Sequence, residues 1–248
     1  VMTKNIPDGN TFNVSYQMGF NTNATFRNFQ LTDGTAKDYL GFGADVRNLP
    51  SSFPAHLGEH STDEAAAFTR QINQRWGINK FTAIPDQKIS LTSHRSYDVG
   101  GWKIGNITNL NWSTEFDYSE TVNNNYIAYD VKNDVSRPRF EYNDIRYKNT
   151  SKLGALFNWS FQRDGSKYEL RNFFSQRGVS ALTQREGMNY YSDKDIRKWE
   201  SLYTGRTTYS GQISGVHTLR ENVNKVDWTV GYAFASYLSL IHISEPTR

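Results

Sequence analysis

At 248 residues the chain is long enough for one large domain or two small ones, and it contains no cysteine, which excludes disulfides and Cys-based metal sites. Rings make up 15% of it, yet mean hydropathy is -0.71, a mixture that suits half-wet β-strands better than a thick soluble core. The 28 basic and 25 acidic residues are spread along the chain for a net charge of only +3, which argues against nucleic acid as a partner, and no run approaches the roughly 18 apolar residues of a membrane helix. Any membrane span must therefore be made of strands.

Val1–Asn10 reads as an opening segment that ends in the turn signal Pro7-Asp8-Gly9-Asn10. A strand follows, with Phe12, Val14, Tyr16, Met18 and Phe20 alternating with Asn13, Ser15, Gln17, Gly19 and Asn21. Such a strand, tilted by about 40°, crosses a 25 Å apolar band in about ten residues. A long connection is predicted from about Leu31 to Pro85, broken by Pro50 and Pro54. It contains one predicted helix, because Ser61 and Glu64 have the spacing of a capping box and Ala65, Phe68, Ile72 and Trp76 fall roughly on one face before Gly77.

Gln87–Tyr97 reads as a second strand, followed by a tight turn at Asp98-Val99-Gly100-Gly101. In a third, Leu110, Trp112, Thr114 and Phe116 alternate with Asn109, Asn111, Ser113 and Glu115. Asp117–Pro138 is expected to be a second long polar connection. Ser151–Phe174 then reads as a β-hairpin around Asp164-Gly165, a pair that favours a type I′ turn. That turn sets the register: Phe161 opposite Tyr168, Trp159 opposite Leu170, Phe157 opposite Asn172, Gln162 opposite Lys167, Ser160 opposite Glu169 and Asn158 opposite Arg171. One face is apolar and the other polar, although Asn172 interrupts the first, and Leu156 and Phe173 the second. A third long connection is expected over Arg177–Lys198, a sixth strand over about Trp199–Leu219, a turn at Glu221–Lys225, and a seventh strand with Trp228, Val230, Tyr232 and Phe234 on one face.

Long and short connections thus alternate, as in the outer-membrane barrel, which has short periplasmic turns and long extracellular loops. The expected fold is all-β, an antiparallel up-and-down transmembrane β-barrel fragment of about seven strands with a short helix in its first long loop. In this register Phe12, Tyr16, Phe157, Trp159, Trp228 and Tyr232 face lipid, and Asn13, Gln17, Asn158 and Ser160 face the lumen. The apolar register of Phe12–Phe20, Ser151–Phe161 and Trp228–Phe234 contains no lysine, which would cost roughly 2–4 kcal/mol at the midplane.

Several motifs have blander readings. His56-Leu57-Gly58-Glu59-His60 has the H-x-x-E-H spacing of an inverted zinc-protease motif, but Pro54 and Gly58 oppose a helix, so the stretch reads as a solvated loop. Asp130–Asp134 lacks the turn glycine of a calcium loop and places Lys132 at a ligand position. Glu115, Asp117 and Glu120 read as rim charges rather than as a glycosidase acid pair. Of the sequons at Asn13, Asn23, Asn106, Asn111, Asn149 and Asn158, those at Asn13, Asn111 and Asn158 fall mid-strand on the polar face, as lumen-lining amides would. Tyr39, Phe42, Arg47, Trp76 and Tyr129 lie in or near the long connections, where a ligand could stack or pair, but loop aromatics also pack on one another and no site is assigned. No catalytic, cofactor-binding or metal residues are assigned, no cofactor is expected, and the chain is not expected to be an enzyme.

Thr3-Lys4-Asn5-Ile6-Pro7 resembles the exit from plug to barrel in TonB-dependent outer-membrane receptors. Tyr39-Leu40-Gly41-Phe42 with Arg47-Asn48-Leu49-Pro50, then Asp86-Gln87-Lys88-Ile89-Ser90-Leu91, resemble the first extracellular loop and second strand of that family's large-loop members. The resemblance, over about Val1–Tyr237, implies a 22-stranded barrel around an N-terminal plug in the outer membrane of a Gram-negative bacterium. It implies three partners: outer-membrane lipid, a nutrient ligand such as a siderophore, vitamin or oligosaccharide on the extracellular side, and the TonB energy-transducing complex, reached through the plug. On this reading residues 1–10 are the end of the plug and its linker and residues 11–237 the first part of the barrel. Residues 238–248, LSLIHISEPTR, resemble the translation of a sequencing adapter and are set aside from the fold. The readings that compete are another outer-membrane barrel such as a porin, a soluble secreted β-sandwich that binds glycans, and an extracellular hydrolase.

Overall fold

The computed structural model describes residues 6–44, 47, 50, 52–54, 56–71, 77–219 and 224–244. Its strands are β1 (Thr11–Gly19), β2 (Asn28–Thr32), β3 (Ile78–Thr82), β4 (Asp86–Val99), β5 (Trp102–Asp130), β6 (Val135–Arg163), β7 (Ser166–Asn189), β8 (Lys194–Leu219) and β9 (Asn224–Ser244), and its helix is α1 (Thr62–Gln71). The chain is all-β. Seven strands form one antiparallel sheet in the order β1-β4-β5-β6-β7-β8-β9, with β1 and β9 as open edges, while β2 and β3 pair separately.

The hairpin follows the expected register: Phe161 pairs with Tyr168, Trp159 with Leu170, Ser160 with Glu169 and Phe157 with Asn172. Asp164 (φ 45°) and Gly165 (φ 77°) both occupy the left-handed region, as a type I′ turn requires. Asn172 on the apolar face is satisfied there. Its Nδ2 donates to the Phe157 carbonyl (3.3 Å), and its Oδ1 accepts from the Tyr209 hydroxyl on β8 (2.9 Å). On the polar face the two interrupting apolar residues, Leu156 and Phe173, are each other's cross-strand partners.

Two expected long connections are strand instead. Asp117–Asp130 continues β5 and Val135–Pro138 begins β6, so the expected connection over 117–138 reduces to a turn at 131–134. Its Asp130 Oδ1 accepts from the Lys132 and Asn133 amides (3.1 and 3.3 Å), so the calcium-like stretch is an Asx-type turn, and the bond from the Asn133 side chain (2.8 Å), followed by these two, holds the Asp130 carboxyl below its usual range. Arg177–Asn189 likewise continues β7 and Lys194–Lys198 begins β8, which leaves a turn at 190–193. Pro138 sits opposite Tyr126 at a register shift, beyond the last β6–β7 pair at Phe140, where a missing N–H breaks no second ladder. The alternation of long and short loops is therefore replaced by tight turns at both rims, with β5–β8 reaching 24 to 29 residues. The first connection remains long. The expected turn at Glu221–Lys225 lies largely outside the described residues, and β9 continues through 238–244, with Leu240 opposite Tyr203.

That first connection folds back onto the sheet. Phe29 of β2 is fully buried, with its ring 5.4 Å from Phe116, 5.2 Å from Tyr147 and 5.6 Å from Phe81. A 3-10 turn over Ala36–Leu40 then ends at Gly41 (φ 82°), whose carbonyl accepts from the Tyr203 hydroxyl (3.0 Å) and from Gln176 Nε2. The backbones of Gly41 and Gly178 meet so closely that a Cβ on Gly178 would lie 2.6 Å from the Gly41 Cα. Gly178→Val is expected to cost about 1–3 kcal/mol by overpacking this contact. The check is hydrogen exchange, which should rise at Gly41 and Gly43 while the β6–β7 pairs at Trp159–Leu170 stay protected.

α1 begins at the predicted capping box: the Ser61 amide donates to Glu64 Oε2 (3.0 Å) and the Glu64 amide to Ser61 Oγ (3.4 Å). Ile72 and Trp76 of its predicted face lie outside the described residues.

Candidate functional site

Directly paired residues share a face, so the ladders sort every strand into two surfaces. The first carries Phe12, Val14, Tyr16 and Met18 of β1, Ile89 and Leu91 of β4, Ile104, Leu110 and Trp112 of β5, and Leu153, Phe157, Trp159 and Phe161 of β6. It continues through Tyr168, Leu170 and Phe174 of β7, Tyr209 and Ile213 of β8, and Trp228, Val230, Tyr232 and Phe234 of β9. From the row of Phe161 to the row of Leu153, Arg95 is the only Asp, Glu, Lys or Arg on this surface. It stands beside Asn106 and Trp159, close to the tight turns.

This surface has a covered part and a bare part. The first connection covers the upper part, where Phe116 (3% exposed), Tyr147 (7%), Leu182 (1%) and Tyr203 (2%) are buried. Nearer the turns Phe157 (45%), Val230 (66%) and Tyr232 (66%) lie open. The cover begins near the row of Leu153, where Phe42 stacks on Phe174 (6.3 Å) and Trp112 Nε1 donates to the Tyr39 carbonyl (2.6 Å). From the row of Phe161 to that of Leu153 the band is nine residues high, or about 20 Å at a rise of ~3.3 Å and a tilt of ~40°.

The second surface carries Asn13, Ser15 and Gln17 of β1, Asn109, Asn111 and Ser113 of β5, Asn158 and Ser160 of β6, and Ser210 and Gln212 of β8. Three of the sequon asparagines, Asn13, Asn111 and Asn158, thus lie on the polar face as expected, whereas Asn106 and Asn149 lie buried on the other. Above them, in the extended part of the strands, ion pairs join neighbouring strands: Lys148–Asp117 (2.7 Å), Lys152–Glu115 (3.0 Å) and Arg185–Asp144 (2.6 Å). Asp144 accepts two hydrogen bonds from the Arg185 guanidinium and raises its pKa further. Asp86 is pushed up by burial, partly offset by the bond its carboxylate accepts from the Phe116 amide (2.8 Å).

The carboxylates weighed as an acid pair do not converge. Glu115 and Asp117 lie on the polar face in ion pairs, while Glu120 lies on the opposite face, where it accepts from the Tyr118 hydroxyl and, together with burial, pushes Tyr118 up to about 12. Leu57–Glu59 forms a 3-10 turn rather than a helix, with His60 against the Phe68 ring (5.2 Å) and 3.8 Å from Glu64. Among the described residues, no group of three His, Asp or Glu is placed to hold a metal.

The loop residues contact the chain itself, although Tyr39, Phe42 and Tyr129 stay exposed. Arg47 lies over the Tyr203 ring (4.6 Å) and pairs with Asp38 (2.7 Å), and Tyr129 bonds Asp134 at the far turn, whereas Trp76 lies outside the described residues. Between the first connection and the sheet is a cavity of about 280 Å³, lined by Thr35, Asp38, Tyr39, Phe81, Phe116 and Asn149 among others. The Thr35 hydroxyl is buried without a partner among the described residues. No protein-family model, curated protein or solved structure matches the chain.

Proposed function

We propose that the chain is part of the wall of an outer-membrane β-barrel of the TonB-dependent receptor type, which takes up a scarce nutrient such as a siderophore, vitamin or oligosaccharide. The observation that carries this reading is the bare apolar band. It crosses all seven strands, holds one full charge, Arg95, in the second row from the turns, and at about 20 Å comes close to the roughly 25 Å apolar band of an outer-membrane barrel. Arg95 is placed where a long side chain can reach the headgroups. Strand length supports the same reading, since 29 residues in β5 and β6 exceed both a soluble strand and a simple membrane crossing. The surplus above the band forms the covered, ion-paired part, which stands in the extracellular medium. The polar surface lines the lumen. Energy would arrive from the TonB complex through a plug, and the loops with their cavity face the nutrient.

A soluble β-sandwich is the second reading, favoured by the way β2 and β3 pack Phe29 and Phe81 against Phe116 and Tyr147 of the apolar surface. The two separate cleanly because the chain has no native cysteine, so every introduced one is unique. Nitroxide labels at Phe157→Cys and Tyr232→Cys, in chain folded with lipid vesicles, are expected to collide with oxygen rather than with a water-soluble nickel complex. Labels at Asn158→Cys and Ser210→Cys are expected to do the opposite. Nickel-accessible labels at Phe157 and Tyr232, in a chain that stays dissolved without detergent, would move the assignment to the sandwich.

A further inference from the structure

One row of the polar surface stands apart from the rest. Reading the ladders across the sheet, Gln17 pairs with Lys88, Lys88 with Ser113, Ser113 with Lys152, Lys152 with Arg177, Arg177 with Arg206 and Arg206 with Tyr237. Three cations, Lys152, Arg177 and Arg206, therefore stand directly opposite one another on consecutive strands, about 4.8 Å apart, and Lys88 continues the row. Like charges directly opposed in a sheet repel and destabilise it. Some other arginines of the sheet are neutralised, Arg185 on Asp144 (2.6 Å) and Arg197 on Glu186 (2.9 Å), whereas Arg95 and Arg146 stand singly outside the row. In this row Glu115 reaches Lys152 alone, in a half-exposed pair worth little. Arg177 and Arg206 are exposed and have no carboxylate or hydrogen-bond partner among the described residues.

The neighbours of the row's three cations on the same face are small. The flanking positions on the same face are Thr150 and Gly154 on β6, Ser175 and Val179 on β7, and Thr204 and Thr208 on β8. These are short side chains, and the hydroxyls of Ser175, Thr204 and Thr208 are partly exposed beside the long cations, whereas Thr150 and Val179 are buried. Two guanidiniums and an ammonium in line, with hydroxyls beside them, supply what a multiply charged oxyanion needs: bidentate donors at fixed spacing and, at Arg177 and Arg206, positive charge that no carboxylate among the described residues compensates.

We infer that Lys152, Arg177 and Arg206, with Lys88 beside them, form a binding row for a small molecule bearing several phosphate or carboxylate groups. The row lies twelve residues up from the Asp164–Gly165 turn, level with the start of the covered part. If the polar surface lines a lumen, an anionic nutrient would meet the row there. The site itself needs only the sheet, so its test is independent of the membrane.

The experiment is calorimetric titration of the folded chain with tripolyphosphate and, separately, with citrate, which distinguishes phosphate from carboxylate as the preferred group. Arg177→Gln and Arg206→Gln are each expected to weaken binding of the preferred anion by about tenfold or more, the loss of one charge-assisted contact. Arg206→Lys should retain part of the affinity, which shows that the row survives substitution. Arg146→Gln removes an exposed cation on the same face outside the row and is expected to change binding by less than about twofold. Equal losses in Arg146→Gln and the row variants would reduce the effect to general surface charge and overturn the proposal, as would the absence of binding by both anions. Failure here leaves the labelling result at Phe157 and Tyr232 unaffected, so the two readings fall separately.

Discussion

Replacing Phe29 by alanine is expected to free the first connection from the sheet. The ring is fully buried and touches Phe81, Phe116 and Tyr147, and Ala24 and Ala83 complete the cluster around it. Removing a buried Phe costs about 3–5 kcal/mol. That cost falls on a segment whose other anchors are separate polar and edge contacts, among them the Gly41–Gly178 contact, the Tyr203 and Gln176 bonds to Gly41, the Trp112–Tyr39 bond, the Phe42–Phe174 stack and the Thr32–Ser201 hydroxyl pair at 2.8 Å. Hydrogen exchange is therefore expected to lose protection over 28–32 and 78–82 first, while β6 and β7 near Trp159–Leu170 keep theirs. Uniform loss along the sheet would mean that the connection is part of the fold's nucleus rather than a cover laid over a preformed surface.

The separation of cover from sheet also explains what could be read in advance. The Ser151–Phe174 hairpin was legible residue by residue, because Asp164-Gly165 fixes the turn and the turn fixes the register. Strands β1 and β9 were legible from alternation alone. The stretch Thr121-Val122-Asn123-Asn124-Asn125 of β5 was not. Both of its faces are wet, and a period of two appears only where one face is drier than the other. The same holds for Arg185–Asn189 of β7. What keeps these residues in strand is their pairing with neighbours already in strand, together with cross-strand pairs such as Arg185–Asp144, and pairing is a property of register. β2 and β3, of five residues each, were too short to stand out from a proline-broken segment, and their burial depends on rings nearly ninety positions away.

The cationic row was hidden for a related reason. Lys88, Lys152, Arg177 and Arg206 sit on four strands, each among polar neighbours, and taken singly each reads as an ordinary solvated charge. Only the four ladders from β4 to β8 acting together align them. The loop residues Tyr39, Phe42 and Arg47 show the converse: a cluster of rings and charge that looks like a ligand site in sequence is occupied by the chain's own packing against Trp112, Phe174 and Tyr203.

Phe157→Lys is expected to be the most damaging single change to membrane insertion. Phe157 stands in the middle row of the bare band, in line with Phe12, Thr108, Asn172 and Tyr232, and 45% of it is exposed. If lipid covers that surface, an ammonium at this depth costs about 2–4 kcal/mol, or roughly 30- to 800-fold in the equilibrium between inserted and released chain. Ser210→Lys places the same charge on β8, opposite Phe173, where the polar surface already faces water. It is expected to leave insertion unchanged within about twofold. Flotation of each variant with lipid vesicles measures the difference directly. In a soluble sandwich the order reverses in kind, because a lysine at an exposed phenylalanine would relieve a bare apolar patch, and Phe157→Lys would raise solubility without loss of fold. The same substitution is thus harmful or helpful according to the solvent of one surface, and the sign of its effect decides between water and lipid.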